Sequence, residues 1–430
     1  MSDAIQKIRE FEKFGSVLGL ERMNMLMEKL GNPQDGMNFV HVAGTNGKGS
    51  VCRFVYEILR ENGYKVGIYT SPYIVIFNER IEFDGSYISD EDLQVCTDEV
   101  LEKVKELTDA GFDSPTEFEV VTAVAFVYFN KKNADYVVLE VGLGGRGDST
   151  NVIKEPLVSV ITAISFDHMD RLGNTIELIA GEKAGIIKEG RPVASNTNKD
   201  AATEVMKKTA QGLNAPFYDV TNVKRGNIKK AAGTYTFDAE ILDTKYDGVE
   251  ITMIGDHQIE NALSALTAIE ILKKNNLVKV EKEKIYRGLK KARQIARFEI
   301  LEEKPYFIID GAHNEQGAEV LNKTMKEHFA GKKVLMITGM LQDKDVDAIL
   351  KHFCETADAF IATEPSNDRK LSAHALKEKI TAAGKECLVV PDTIEACKEA
   401  LKQRDKFDVI LCAGSLYMLG TVRSFILSQL

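Results

Sequence analysis

The feature of this sequence that most limits its possible folds is the alternation of short apolar runs with longer amphipathic stretches. NFVHVA, KVGIYT, DYVVLEV, LVSVITAI and PVAS each read as a buried strand, and helical patterns such as 49–62 and 117–131 separate them. A strand with no polar face must be covered on both sides, and helices supply that cover. The pattern therefore predicts an α/β fold whose mostly parallel sheet is flanked by helices. In such sheets, ligand-binding groups gather at the carboxyl ends of the strands.

The rhythm changes over 226–254, where GTYTFDAEIL and YDGVEITMI alternate with the two-residue period of a small antiparallel ribbon. A helical stretch, GDHQIENALSALTAIEIL, follows. Beyond a basic segment at 290–297, a second strand–helix alternation begins with YFIID, KVLMIT, AFIAT, CLVV and DVILCA. This predicts a smaller, Rossmann-like C-terminal α/β domain. With 430 residues the chain exceeds the roughly 250–300 that one core serves, so two domains are expected, 1–295 and 296–430.

The formal charge of −10 argues against a nucleic-acid-binding surface. The charged opening MSDAIQKIREFEKFG lacks the apolar centre of a signal peptide, and no run approaches the roughly 18 apolar residues of a membrane span. A cytoplasmic protein without nucleic-acid or membrane partners is expected, with a monomer as the default. Its six cysteines lie far apart and form no CxxC pair, so reduced, mostly buried thiols are expected rather than a disulfide framework or a zinc site.

In NFVHVAGTNGKGSVCRFVYEIL an apolar strand runs through a glycine-rich turn into a helix. Gly44, Gly47 and Gly49 allow backbone N–H groups, including those of Thr45 and Asn46, to converge on an anion at the helix N-terminus. Lys48 would add a point charge and Ser50 a magnesium-facing hydroxyl. The spelling departs from the general phosphate-loop pattern: Val42 stands where its first glycine belongs, and Gly49 separates Lys48 from Ser50.

A second glycine run, in DYVVLEVGLGGRGDSTNVI, has dinucleotide-fingerprint spacing at Gly142, Gly144 and Gly147. That fingerprint needs a helix directly behind it, whereas here Asp148, Ser149, Thr150 and Asn151 lead to another strand. Glu140 is more telling, because a carboxylate ending an apolar strand is costly unless it faces solvent or a metal. Arg146, Asp148 and Asn151 could shape the same loop. Asp167, His168 and Asp170 follow LVSVITAI at another strand end, and His168 is a candidate metal ligand. Lys183 falls inside a predicted helix.

GTNGKGS at 44–50, SPYIVIFNERI at 71–81, LEVGLGGRGDSTNV at 139–152 and DHMDRLGNTIELIAGEKAGIIK at 167–188 resemble the Mur ligase superfamily. Within it they resemble the folylpolyglutamate synthase and dihydrofolate synthase branch. The resemblance implies that Lys48 and Ser50 hold ATP phosphates and Mg2+, with Ser71, Glu140 and His168 completing the metal sites. It implies a carbamate on Lys183, and catalytic roles for Lys48, Lys183 and His168. Asn261, Arg297 and Asp310 match ATP-contacting positions. Tyr73, Arg80, Asp148, His313 and Ser415 are weaker, substrate-side candidates. Tyr73 replaces a histidine common among relatives, and QIARFE lacks the proline and glycine often found before that arginine.

The implied reaction is ATP-dependent addition of L-glutamate to folates. A carboxylate does not acylate an amine at neutral pH until phosphoryl transfer supplies a leaving group, so an acyl phosphate is expected. Joining dihydropteroate to L-glutamate stays open as a second activity. Another Mur-type amino-acid ligase is the nearest alternative, although only 43 residues precede the phosphate loop, leaving no room for a nucleotide-sugar domain ahead of it. A nucleotide-binding regulatory protein without ligase activity is the alternative from another class.

Overall fold

The computed structural model describes residues 2–15, 17–231 and 233–429. An eight-stranded sheet is built in the order Ser86–Tyr87, Ile81–Phe83, Val66–Tyr69, Tyr136–Glu140, Phe39–Ala43, Val158–Ile161, Val193–Ser195, Phe217–Asp219. Five of its pairings are parallel, and the two antiparallel ones, Val66–Tyr69 with Ile81–Phe83 and Ile81–Phe83 with Ser86–Tyr87, lie at one edge. The five anticipated strands are all present.

Side chains of Phe39–Ala43 alternate between two cores, as the two-residue period requires. Val40 and Val42 meet the helices Lys48–Glu61 and Asp256–Lys274, while Phe39 meets Asp90–Asp109 and Glu117–Lys131. Glu117–Lys131 starts where it does because Thr116 and Glu119 form a reciprocal capping box. Of the six cysteines, Cys52, Cys96, Cys397 and Cys412 are buried, and all six are free.

The ribbon has three strands, Lys224–Ala231, Thr234–Ile241 and Thr244–Ile251. Tyr235, Phe237, Ala239 and Ile241 point inward from the middle strand and pack with Ala262, Leu266 and Ile269 in one core. The outer strand carries Lys224, Arg225, Lys229 and Lys230 and buries no face, so it leaves no apolar alternation in the sequence.

A six-stranded sheet forms the C-terminal part, in the order Glu299–Glu303, Tyr306–Ile309, Val409–Ala413, Val334–Thr338, Ala359–Ala362, Glu386–Val389. Only Glu299–Glu303 is antiparallel. Three features hold this part against the first. Ile74 leaves the loop after Val66–Tyr69 and packs among Met418, Leu419 and Val422. Lys230 pairs with Glu327 at 2.6 Å, and Lys344 with Asp167 at 2.7 Å. Among the described residues, no helix is long and apolar enough to cross a membrane.

Candidate active site

Sheet order assembles the site. Phe39–Ala43 lies between Tyr136–Glu140 and Val158–Ile161, all parallel, so the phosphate loop, Glu140 and the segment carrying Asp167 and His168 emerge at one sheet end. Gly44 and Gly47 are required for the loop's shape. Both have positive φ, 153° and 91°, and a Cβ would strike the Thr162 side chain at Gly44 and Asn261 Oδ1 at Gly47. The loop is braced from outside: Thr162 Oγ1 donates to Asn46 O at 2.8 Å, and Thr45 Oγ1 donates to Ser165 O at 3.1 Å.

Lys48 opens the helix Lys48–Glu61 and folds its ammonium back onto the loop, donating to Gly44 O at 3.1 Å and Thr45 O at 3.3 Å. Lys183 donates to the same Gly44 carbonyl at 3.0 Å. Two lysine amines therefore share one oxygen. Lys183 is buried in the helix Ile176–Ala184, and burial, reinforced by Lys48, lowers its pKa to about 7. Half of its amines would be neutral at that pH.

Glu140 is 5% exposed, and its Oε2 accepts from Ser71 N–H at 3.1 Å. Among the described residues no donor is bonded to Oε1. Burial pushes its pKa up, opposed chiefly by Lys48. A side chain on Gly49 would sit 3.6 Å from Glu140 Oε2, so carboxylate and loop adjoin. Oxygen donors from Ser50, Ser71 and Glu140 suit a hard divalent cation. No three of His, Cys, Asp and Glu converge as a protein-only cage among the described residues. That is compatible with Mg2+, which fills much of its shell with water and phosphate. His168 sits in the left-handed region, φ 49°, and caps the short helix Met169–Leu172. Its nearest acid is Asp167, with Nε2 3.9 Å from Oδ2.

Asn46, Gly47, Ser50, Asn261, Arg297, Asp310 and His313 all line one cleft of about 340 Å3 between the two sheets. Polar contacts cross it: Asn46 Nδ2 donates to Gln316 Oε1 at 2.6 Å, and Asn314 Nδ2 to Asn46 Oδ1 at 3.3 Å. Asp167 gathers Lys344 at 2.7 Å and lies 4.0 Å from His313 Nε2. Although burial opposes ionisation of Asp167, His168, Lys344 and His313 hold its carboxyl well below the usual range. Asp310 accepts from Phe298 N–H and Ala312 N–H, each at 2.8 Å, and so fixes both sides of the Arg297 turn. Ala296 adopts φ 56°, a left-handed conformation that a glycine would take without strain.

Other anticipated residues stand apart from this cleft. Tyr73 accepts from Arg9 Nη2 at 2.8 Å, and Arg80 lies over the Tyr73 and Phe77 rings, 5.3 Å from each centroid, with Glu117 3.7 Å away. Asp148 is turned into its own loop, where Oδ2 accepts from Leu143 N–H and Oδ1 from Thr150 N–H and Oγ1–H. Ser415 caps the helix Leu416–Leu427 through Tyr417 N–H. Conversely, His257, Gln258, Asn196, Arg225 and Gln316 line the cleft without having been singled out. His257 and Gln258 lie inside the same GDHQIENA run as Asn261, so the sequence carries a signal for them.

The Mur ligase middle domain model matches residues 42–269, and the Mur ligase glutamate ligase domain model matches 296–416. The chain is 40% identical over 415 residues to the dihydrofolate synthase/folylpolyglutamate synthase of Bacillus subtilis, covering 96% of this chain and 95% of that one. It superposes on Mycobacterium tuberculosis folylpolyglutamate synthase complexed with ADP and AMPPCP with a TM-score of 0.91, at 29% identity and 99% coverage of both chains. Escherichia coli FolC in complex with DHPP and ADP gives a TM-score of 0.87 at 28% identity, covering 99% of this chain and 98% of that one.

Proposed function

From the premise that the chain belongs to the Mur ligase family, as an ATP-dependent glutamate ligase of the folylpolyglutamate/dihydrofolate synthase branch, we propose a bifunctional, Mg2+-dependent enzyme with a carbamylated lysine. It joins dihydropteroate to L-glutamate and also extends tetrahydrofolate. The observation that carries this reading is the cleft lined by both domains, with Lys48, Lys183 and Glu140 around the phosphate loop at one end. The two-part name of the Bacillus subtilis relative supports both activities.

In this reading the loop N–H groups and Lys48 hold the transferring phosphoryl group, releasing Lys48 from the Gly44 and Thr45 carbonyls it now contacts. The acceptor carboxylate attacks, ADP leaves, and an acyl phosphate remains. The amine of L-glutamate then forms the amide and expels phosphate. Arg297 and Asp310 bring the C-terminal domain onto the nucleotide, keeping water from the acyl phosphate. Ser50, Ser71, Glu140 and His168 would hold Mg2+, which supplies charge neutralisation to the phosphates.

The lowered pKa of Lys183 favours the amine over the ammonium, and only the amine can take up CO2, forming an N–C bond and losing a proton. The resulting carbamate would carry negative charge where the free side chain is cationic, suiting a position beside a metal. A cytoplasmic monomer completes the reading, and sedimentation velocity tests the monomer.

The function is tested by measuring ADP release with dihydropteroate and with tetrahydrofolate, each with and without L-glutamate. Dependence on acceptor and glutamate is expected for both. Phosphate release indifferent to either would overturn the ligase reading for this chain. Activity on tetrahydrofolate alone would remove the dihydropteroate half.

A further inference from the structure

The structure assigns His41 and Thr150 as positioning residues for Lys183, acting through Asp148 and the glycine loop that follows Glu140. This deepens the reading above and rests on it. His41 interrupts the otherwise apolar strand Phe39–Ala43 and is wholly buried, as is Thr150. A histidine placed there purely for packing would be an expensive choice, because one ring nitrogen, Nδ1, has no hydrogen-bond partner among the described residues.

The hydrogen bonds around it have a fixed direction. Thr150 Oγ1 lies 2.5 Å from Asp148 Oδ1, a carboxylate oxygen that can only accept, so the threonine hydroxyl donates there. Its oxygen is then left to accept from His41 Nε2, 2.9 Å away. The imidazole consequently carries its proton on Nε2, with Nδ1 bare. Burial lowers the His41 pKa to about 3, in keeping with a permanently neutral ring.

From Asp148 the path continues to the lysine. Asp148 Oδ2 accepts from Leu143 N–H at 2.8 Å and so folds the loop of Gly142, Gly144 and Gly145. That loop abuts the helix Ile176–Ala184: Arg146 N–H donates to Glu182 O at 2.8 Å, and a Cβ on Gly145 would lie 3.0 Å from Lys183 Cα. At its other end, Lys183 Nζ donates to Gly44 O, one residue past the strand that holds His41. The lysine is thus fixed between two points referred to one strand, directly through Gly44 and indirectly through His41, Thr150, Asp148 and the loop. His41, Thr150 and Asp148 themselves lie outside the phosphate loop, which the path meets only where Lys183 donates to Gly44 O.

The test uses the full-length enzyme. Thr150→Val keeps the shape and removes the hydroxyl, and Thr150→Ser restores it. Thr150→Val is expected to lower kcat for ligation by about 10- to 100-fold, the usual effect of losing a group that orients a reacting one. AMPPCP affinity should stay within about twofold, since the phosphate loop is untouched, and Thr150→Ser should recover most of the loss. Nitrogen-15 NMR of the wild type should show a His41 ring protonated at Nε2 that does not titrate between about pH 5 and 9, the range in which ordinary imidazoles change charge. Carbon-13 bicarbonate labelling reads the carbamate on Lys183 directly, and its resonance should weaken in Thr150→Val. Wild-type kcat in Thr150→Val, equal impairment of the valine and serine variants, or a His41 ring protonated at Nδ1 would each overturn the proposal. A wild type that ligates but shows no labelled carbamate removes the modification while leaving the orienting path to be judged by kcat alone; a wild type that does not ligate removes the function reading instead.

Discussion

Lys183 shows how a single residue links burial to chemistry. Its folded pKa of about 7 lies below the ordinary 10.5, so between those values the unfolded chain binds a proton that the folded chain has released. Stability should therefore be penalised below pH 7 and should recover as pH rises, with a slope of at most about 1.4 kcal/mol per pH unit. Lys183→Met in CO2-depleted buffer should lose this slope; parallel melting curves for the two proteins between pH 6 and 10 would contradict the assignment. Lys48 makes a different prediction. Its ammonium touches only loop carbonyls among the described residues, so Lys48→Ala should leave the melting temperature near wild type while ligation falls below detection. Near-normal ligation by that variant would remove Lys48 from the phosphate site.

At the level of elements, the helix Leu416–Leu427 offers a test of close approach. Glycine inside a helix ordinarily costs about 1 kcal/mol relative to alanine, so Gly420→Ala would be expected to stabilise it. Here a Cβ would collide with the Ile74 carbonyl oxygen, a backbone atom that cannot rotate away. The variant should instead lose about 1–3 kcal/mol, measured by denaturant unfolding. The same contrast between local and long-range information separates what could be read in the chain from what could not. Phe39–Ala43 and Tyr136–Glu140 announced themselves because every residue in them is buried. Lys224–Ala231 and Glu299–Glu303 did not, since edge strands bury too little to leave a period. Gly44 to Ser50, Glu140 and Asn261 were legible because each carries its own local pattern. Lys344, Asn314 and Gln316 acquire meaning only when the second sheet docks against the first. His41 was visible as one polar letter in an apolar run, yet its partner Thr150 is 109 positions away.

Across the whole molecule, the cleft sets how the two halves respond to ligand. Asn46, Gly47 and Asn261 come from one sheet's side, and Arg297, Asp310 and His313 from the other. A nucleotide held by both binds neither half fully once they separate. AMPPCP at 100 times its Kd should add about 2.7 kcal/mol to the folded state, seen as a rise of several degrees in calorimetry. A melting temperature unmoved by saturating AMPPCP would mean that the cleft is not where nucleotide binds.

The shared cleft also bears on the shape of the transition. With the nucleotide absent, the halves are joined by the turn around Arg297, by apolar contacts such as Ile74 and Tyr235 against His328, and by ion pairs such as Lys344 to Asp167, and ion pairs are weakened by salt. Heating at high ionic strength should then produce two overlapping endotherms, one for each half. Nucleotide should merge them into a single peak, so that the ligand governs whether this chain unfolds as two cooperative units or as one.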